Sequence, residues 1–279
     1  MKAFTQKFAQ FIKPLCRTYA YDVPQHKWHL QYPIAKNGRR QSPINLVLND
    51  PDIAVRKTYK NPLKFNYHND DINLVTNNGS SVTFFADEKA TVEGGPLKGD
   101  TYKMVQFHFH WGAHSNCGSE HLVNGRQYSG EVHIVHQNTK YPTFDEALEK
   151  GDGLCVVGAL MDAQNGHHCP KYQKVVDQLS KVHSKGFNCE IDLDFNCTQL
   201  LPGNLDNFAY YKGSLTTPPL NECVQWIVML DPVKIGESQM QGFRELRGHG
   251  DEKILNNYRW VQSMYGRKIT HSCCCCGGK

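Results

Sequence analysis

The sequence predicts a mainly β fold with peripheral helices, in a single domain built on a large, mostly antiparallel, twisted central sheet. Short β-favouring runs fill the middle of the chain, turn signals such as Asn77-Asn78-Gly79 separate them, and helical patterns are few. Strands that do not alternate regularly with helices favour antiparallel pairing. The 279 residues, 39% hydrophobic and 21% charged, suit one globular domain.

The predicted elements follow one another with no internal repeat and no linker rich in Pro or Ser between them. The strands are expected at 64–67, 72–76, 81–85, 102–111, 130–136, 153–161 and 224–230. Helices are expected at 143–150, 172–182 and 238–247. We therefore predict an N-terminal arm at 1–18, one domain at 19–270 and a Cys-rich tail at 271–279.

Two of these strands carry histidines on one face. Side chains alternate along a strand, so Gln106, His108 and His110 share a face, as do Glu131 and His133 on the next long strand. If the strands pair, three imidazoles converge, and three neutral imidazoles leave one position of a tetrahedral zinc open, as in catalytic sites. A solitary His-x-His pair is more often ordinary structure. The third histidine and the polar neighbours, which can accept the outer ring protons, favour a metal site.

A zinc ion held this way lowers the pKa of its bound water to about 7. The resulting hydroxide needs a hydroxyl group to fix its proton, and a carboxylate to accept the proton of that hydroxyl. Thr216 and Thr217 stand in a loop stiffened by two prolines, and Glu120 lies in a Ser-Glu-His segment. Spacing alone does not decide which threonine pairs with Glu120.

Eight segments resemble the signature motifs of the α-class carbonic anhydrases, in the same order and at similar spacing, over about residues 19–270. They are QSPI at 41–44, GGPL at 94–97, QFHFHWG at 106–112, SEH at 119–121, EVHIVHQN at 131–138, GSLTTPPL at 213–220, ECVQWIV at 222–228 and NNYR at 256–259. The resemblance implies a catalytic domain at 19–270 that uses Zn²⁺ to hydrate carbon dioxide reversibly to bicarbonate and a proton.

The resemblance also implies a role for each site residue. The implied zinc ligands are His108, His110 and His133. The acceptors for their outer ring protons are Gln106 for His108, the backbone carbonyl of Asn257 for His110 and Glu131 for His133. Thr216 would orient the zinc hydroxide, pass its own proton to Glu120 and help to hold the substrate. The implied substrate-binding residues are Val135, Val156, Leu215, Thr216, Thr217, Val224 and Trp226.

The chain departs from the pattern of the fastest members at Ser80, where they carry a histidine that exports the proton. Serine does not titrate near neutral pH, whereas histidine does. We expect the chemistry to survive while proton transfer limits turnover below the ~10⁶ s⁻¹ of a fast zinc-hydroxide enzyme. Two other functions remain open: a non-enzymatic carbonic-anhydrase-like binding protein, and an esterase activity, expected at most as a side activity.

The composition and the resemblance also bear on partners and location. The formal net charge of +4, with dispersed lysines, argues against a nucleic-acid partner, and the resemblance implies inhibition by sulfonamides and anions. No secretory signal is evident, and Ala35 and Leu220 stand where secreted members form a disulfide. We therefore expect a cytoplasmic protein that is not secreted.

Both ends of the chain lie outside the resemblance. The arm carries apolar residues at helical spacing among basic ones, which suits a membrane-surface or mitochondrial segment, but Pro14 interrupts the helix and favours docking on the protein's own domain. The tail contains Cys273, Cys274, Cys275 and Cys276. Adjacent cysteines make a poor zinc cage, so the alternatives are membrane association through reversible acylation and a tail without function.

Overall fold

The computed structural model describes residues 23–87 and 89–272, and β-strands dominate them. The strands are β1 (Asn45–Leu46), β2 (Ala54–Lys57), β3 (Lys64–Asn66), β4 (Ile72–Asn77), β5 (Val82–Ala86), β6 (Thr91–Glu93), β7 (Tyr102–Trp111), β8 (Leu122–Val123), β9 (Gly130–Asn138), β10 (Leu154–Gln164), β11 (Asn188–Glu190), β12 (Phe208–Gly213), β13 (Val224–Gly236) and β14 (Ile269–Ser272). The α-helices are α1 (Ile34–Asn37), α2 (Phe144–Leu148), α3 (Pro170–Leu179) and α4 (Glu237–Arg244). Short 3₁₀ turns cover Gln25–Leu30, Gly95–Leu97, Ser180–Val182, Cys197–Leu200 and His249–Asp251.

Twelve strands form one sheet, whose main path runs β11-β4-β5-β7-β9-β10-β13-β12-β14-β2. The pairing is antiparallel except between β10 and β13 and between β14 and β2. A separate two-stranded sheet joins β1 to β8. The strands β7 and β9 lie near the middle of the path, so the predicted large, mostly antiparallel central sheet is confirmed.

Alternation of side chains gives the sheet two apolar faces with different neighbours. On one face, Phe107 and Phe109 of β7 pack under the longer helices, and Phe109 lies 4.8 Å from Phe243 of α4 between ring centroids. On the other face, Val135 and Trp226 belong to a second core together with α2. Because β7 and β9 are covered on both sides, most of their polar residues are buried, whereas His108 is partly exposed.

The long central strands lie close to their predicted positions, and β7 has the predicted bounds of 102–111. The three predicted helices are present but shorter: α2, α3 and α4 correspond to 143–150, 172–182 and 238–247. Seven strands were not predicted: the edge strands β2 and β11, the inner strands β12 and β14, and the short strands β1, β6 and β8. The predicted arm at 1–18 and the cysteines of the tail lie outside the described residues. Within residues 23–87 and 89–272, no helix has both the length and the apolar character needed to cross a bilayer.

Candidate active site

Three histidine side chains meet between the two central strands. His108 on β7 pairs directly with His133 on β9, and His110 stands two residues further along the same face of β7. One ring nitrogen from each histidine lies within 4.8 Å of the others. His110 Nε2 is 3.1 Å from His133 Nδ1. The strand alternation predicted from sequence therefore brings the three rings together.

The outer nitrogen of each ring has its own acceptor. His108 Nδ1 donates to Gln106 Oε1 at 3.0 Å, His110 Nδ1 to the backbone carbonyl of Asn257 at 2.7 Å, and His133 Nε2 to Glu131 Oε1 at 2.8 Å. An amide oxygen, a carbonyl and a carboxylate can only accept, so each contact fixes the tautomer of its ring. The nitrogens that face inward are left with lone pairs.

Asn257 is held in place from three sides. Its side-chain oxygen accepts from the backbone N–H of Trp111 at 2.7 Å, and its amide donates to the carbonyls of Ser80 at 2.9 Å and Phe109 at 3.2 Å. The preceding residue, Asn256, adopts a left-handed conformation with φ of 56°, which asparagine tolerates well. The carbonyl that orients His110 is thus fixed by the turn at Ser80 and by β7.

Glu131 is the most highly coordinated acceptor in the site. Besides His133, its Oε1 accepts from His121 Nδ1 at 2.7 Å, and its Oε2 accepts from the backbone N–H of Glu120 at 2.9 Å and of His121 at 2.8 Å. Burial alone raises the pKa of Glu131, but the two histidines and their hydrogen bonds outweigh burial and hold the pKa well below 4.5. Glu131 is therefore an anion at neutral pH.

This network extends beyond the residues that sequence reasoning identified. His121 Nε2 shares a 2.6 Å hydrogen bond with the hydroxyl of Tyr211, which in turn lies 2.9 Å from Ser42 Oγ. Gly158 on β10 leaves room for the carboxylate of Glu131, because a Cβ at position 158 would stand only 2.9 Å from Glu131 Oε1. The SEH segment contained His121, but nothing in the sequence linked it to a tyrosine 90 residues away.

Glu120 is buried beside the histidines. Its Oε1 accepts from the backbone N–H of Arg259 at 2.7 Å. Its Oε2 makes no hydrogen bond with any residue that the structure describes, and it lies 3.6 Å from His110 Nε2 and 3.8 Å from His133 Nδ1. The expected hydrogen bond from Thr216 to Glu120 is therefore not formed, although Thr216 is buried as expected.

The electrostatics of the three rings suit metal binding. Burial lowers the pKa of His108 and of His110, and the neighbouring His133 acts in the same direction on both. Their pKa values therefore lie below 6.5, and both rings are neutral at neutral pH. Neutral imidazole is the form that ligates a metal, because the ligating nitrogen must have lost its proton.

The residues expected to bind substrate lie in the second apolar core. Val156 on β10 pairs with Val135 on β9 and with Trp226 on β13, and Val224 shares the face of Trp226. Leu215 packs against this group from the loop after β12. The neighbouring Thr217 is partly exposed. The structure thus brings the five expected apolar residues into one cluster.

The turn that lacks the usual histidine is well ordered by its own side chains. Asn78 Oδ1 accepts from the backbone N–H groups of Ser80 and Ser81 at 2.9 and 2.8 Å. Ser80 itself is only 9% exposed. Lys185 and His249 cover the other side of the turn, where a Cβ on Gly79 would contact both. Sequence reasoning gave no signal for this contact.

The donor set fits a tetrahedral metal ion with one free position. Two nitrogens that each lie about 2.05 Å from a tetrahedral zinc are about 3.3 Å apart, close to the 3.1 Å between His110 and His133. Among the described residues, the group around His108 contains three histidines and no fourth ligand. Three such ligands are typical of catalytic zinc sites, which keep a position for water or substrate.

Comparison with known proteins agrees with this arrangement. The family model of the eukaryotic-type carbonic anhydrases matches residues 23–273. The protein named Carbonic anhydrase 7 from Homo sapiens is 42% identical over 259 residues, which cover 90% of this chain and 94% of that protein. The protein of the same name from Mus musculus is 40% identical over 265 residues, which cover 92% of this chain and 97% of that protein. The chain therefore belongs to the α-class, eukaryotic-type carbonic anhydrase family.

Proposed function

We propose that this enzyme uses Zn²⁺ to hydrate carbon dioxide reversibly to bicarbonate and a proton. The observation that carries the proposal is the convergence of three ring nitrogens whose tautomers are each fixed by an outer acceptor. An all-imidazole donor set with an open position suits zinc. A zinc ion there supplies a hydroxide nucleophile at neutral pH by lowering the pKa of its water.

Thr216 and Glu120 are proposed to orient that nucleophile. Glu120 Oε2 is a buried acceptor that has no hydrogen-bond partner among the described residues, so it is available to the Thr216 hydroxyl. Once that hydroxyl donates to Glu120, its oxygen can only accept, and a lone pair of the nucleophile then faces the substrate. The backbone N–H of Thr216 and the side chain of Thr217 are proposed to hold the product oxygens.

Carbon dioxide is proposed to bind against the apolar cluster beside the histidines. Val135, Val156, Val224 and Trp226 are each at most 3% exposed, and Leu215 closes the cluster from its loop. A small molecule without a net dipole gains from such a surface, whereas charged bicarbonate does not, and this difference favours product release.

Proton export is proposed to limit turnover. The side chain at the turn is the hydroxyl of Ser80, which does not titrate near neutral pH. A proton released in the site must therefore leave through water or through added buffer. We expect the buffer dependence of turnover to be steep, and sulfonamides and small anions to inhibit by occupying the open metal position.

We further propose that the enzyme works in the cytoplasm. Six cysteines within the described residues are free thiols: Cys117, Cys155, Cys169, Cys189, Cys197 and Cys223. Free buried thiols are usual in a reducing compartment. Ala35 and Leu220 pack in one small apolar cluster with Trp28, so apolar contacts stand where secreted relatives are expected to carry a disulfide.

The test is stopped-flow hydration of carbon dioxide by the zinc-loaded chain, by the chelator-treated chain and by a His110→Asn variant. We expect activity only in the first, with one zinc per chain and inhibition by a sulfonamide. A matched His114→Asn variant, at an exposed histidine outside the group, should keep both zinc and activity. Equal hydration by the metal-free chain, or zinc binding without hydration, would contradict the proposal.

A further inference from the structure

The last described strand lies next to the outer edge of the sheet. The last described strand, β14, pairs in parallel with β2, the terminal strand of the path, and the final pair joins Ser272 to Lys57. The next residues in the sequence are the four cysteines at 273–276, followed by two glycines and a lysine. In the sequence, the cysteine run therefore follows directly on the residue that pairs with the edge strand β2.

Positive charge is concentrated at this edge. Arg56, Lys57 and Lys60 on and after β2 are exposed, as is Lys268 just before β14. The acidic groups in the same segments are Asp50, which is partly buried, and Asp52 in the loop before β2. Lys268 Nζ hydrogen-bonds the backbone carbonyl of Asp52, and Lys57 Nζ lies over the ring of Tyr59. The exposed cations thus outnumber the acids in the segments around β14, the last described strand.

A cavity of about 530 Å³ opens at the same edge. Its apolar lining comes from Leu48, Pro51, Ala54 and Val55, and its polar side chains are those of Asn49, Arg56 and His271. Val55 is 52% exposed, an unusually open position for a valine of this sheet. Burial, and then the charge of Arg56, lower the pKa of His271 below 6.5, so the ring is neutral at neutral pH. This edge of the sheet therefore combines an apolar cavity with exposed cationic side chains around it.

We propose that the cysteines at 273–276 are S-acylated with fatty acids and that the β2–β14 edge is the surface that meets an anionic membrane leaflet. In each modification the cysteine thiolate attacks the carbonyl carbon of a fatty acyl thioester donor. The new C–S bond replaces the old one, and the donor thiol leaves with the proton that the cysteine gave up. No atom is oxidised or reduced. The inference does not depend on the proposed hydration activity.

The two signals are expected to act together. One fatty acyl chain gives only marginal, reversible membrane binding, and stable attachment needs a second chain or a basic patch. One lysine or arginine near an anionic leaflet strengthens binding about fivefold. Removal of two edge cations is therefore expected to weaken binding about 25-fold, and removal of the acylation sites is expected to abolish stable attachment.

Attachment by this edge leaves the candidate active site clear of the membrane. Along the sheet, β14 is four strands from β9, which carries His133. At about 4.8 Å between neighbouring strands the separation is about 19 Å. Substitutions at the edge or in the tail are therefore expected to leave carbon dioxide hydration unchanged, so that the two proposals can fail independently.

The test uses the full chain expressed in eukaryotic cells, with membrane and cytosolic fractions separated. We expect fatty acyl mass on the peptide that contains residues 273–276, and release of the protein from membranes by neutral hydroxylamine, which cleaves thioesters. A variant with all four cysteines changed to serine should move to the cytosol. Free thiols in the wild-type tail, including thiols that retain a soft metal, would overturn the proposal.

The membrane-facing surface is tested with the acylated chain and vesicles of phosphatidylcholine, with or without phosphatidylserine. The variant Arg56→Gln/Lys60→Gln keeps Lys57 on Tyr59 and should bind the anionic vesicles about 25-fold more weakly. The matched variant Lys171→Gln/Lys181→Gln, at exposed lysines in and after α3, should bind like the wild type. Equal binding by both variants, or no preference for the anionic vesicles, would overturn the role of the edge.

Discussion

The substitution Glu131→Gln tests whether the outer acceptors determine metal binding. The wild-type carboxylate accepts four N–H groups, two on each oxygen: from His133 and His121 on Oε1, and from the backbone of Glu120 and His121 on Oε2. A glutamine has one oxygen and one NH₂ group. Whichever way the amide is turned, two N–H donors face its NH₂ group, and two hydrogen bonds are lost.

The magnitude follows from that count. A hydrogen bond to a charged group contributes about 1.5–3 kcal/mol, so the loss of two is expected to lower the free energy of unfolding by about 3–6 kcal/mol. The variant can recover part of this if the amide turns toward the histidines and His133 moves its proton from Nε2 to Nδ1. That tautomer, however, places a proton on the nitrogen that faces the metal. We therefore expect zinc affinity to fall at least 10–100-fold.

The assay has two independent readouts. Urea denaturation of the metal-free chain measures the free energy of unfolding, and competition with a chelator measures zinc affinity. The matched control, Glu146→Gln, replaces an exposed carboxylate of α2 and should change neither quantity. If Glu131→Gln kept the zinc affinity and the stability of the wild type, the view that Glu131 sets the tautomer of His133 would be refuted.

Three further predictions concern the proton path, the core and the substrate pocket. Ser80→His should raise turnover and reduce its dependence on added imidazole buffer, and a variant no faster than the wild type in weak buffer would show that proton export is not limiting. Burial lowers the pKa of His136 to about 4, from an ordinary value of 6.5. The unfolded chain therefore binds this proton first as the pH falls, and about 3 kcal/mol of stability should be lost between pH 6.5 and 4. His136→Gln should make the measured loss smaller, and an identical loss in this variant would contradict that assignment. Val156→Phe should lower kcat/KM for hydration at unchanged zinc content, and unchanged kcat/KM would argue against the proposed pocket.

The strand β7 could be predicted because its side chains alternate. The segment from Gln106 to Trp111 alternates polar and aromatic residues, and both faces of β7 are buried, so its bounds and the convergence of its histidines followed from the sequence. The edge strands gave no such signal. Ala54–Lys57 carries two basic residues and is mostly exposed. It is a strand only because β14, more than 200 residues later, pairs with it.

The acceptors of the site divide in the same way. Gln106 and Glu131 lie two residues from their histidines on the same strands, so local geometry was enough to propose them. Asn257 came from the family resemblance alone, because no local pattern links it to a ring 147 residues earlier. His121 and Tyr211 were missed, because their contact exists only once β12 has joined the sheet.

The histidines that can hold a metal and two of their acceptors, Gln106 and Glu131, are therefore local, whereas Asn257 and the groups that hold the acceptors in place come from other segments of the chain. Asn257 is fixed by β7 and by the turn at Ser80, and Glu131 by the segment at Glu120 and His121. A structure in which β7 and β9 had paired without these segments would leave the tautomer of His110 unfixed and would hold Glu131 only through His133. Because a zinc ligand must present a lone pair, such a structure would bind the ion weakly. Zinc affinity in this protein is accordingly expected to depend on the docking of these segments against β7 and β9, and not only on the pairing of the two strands.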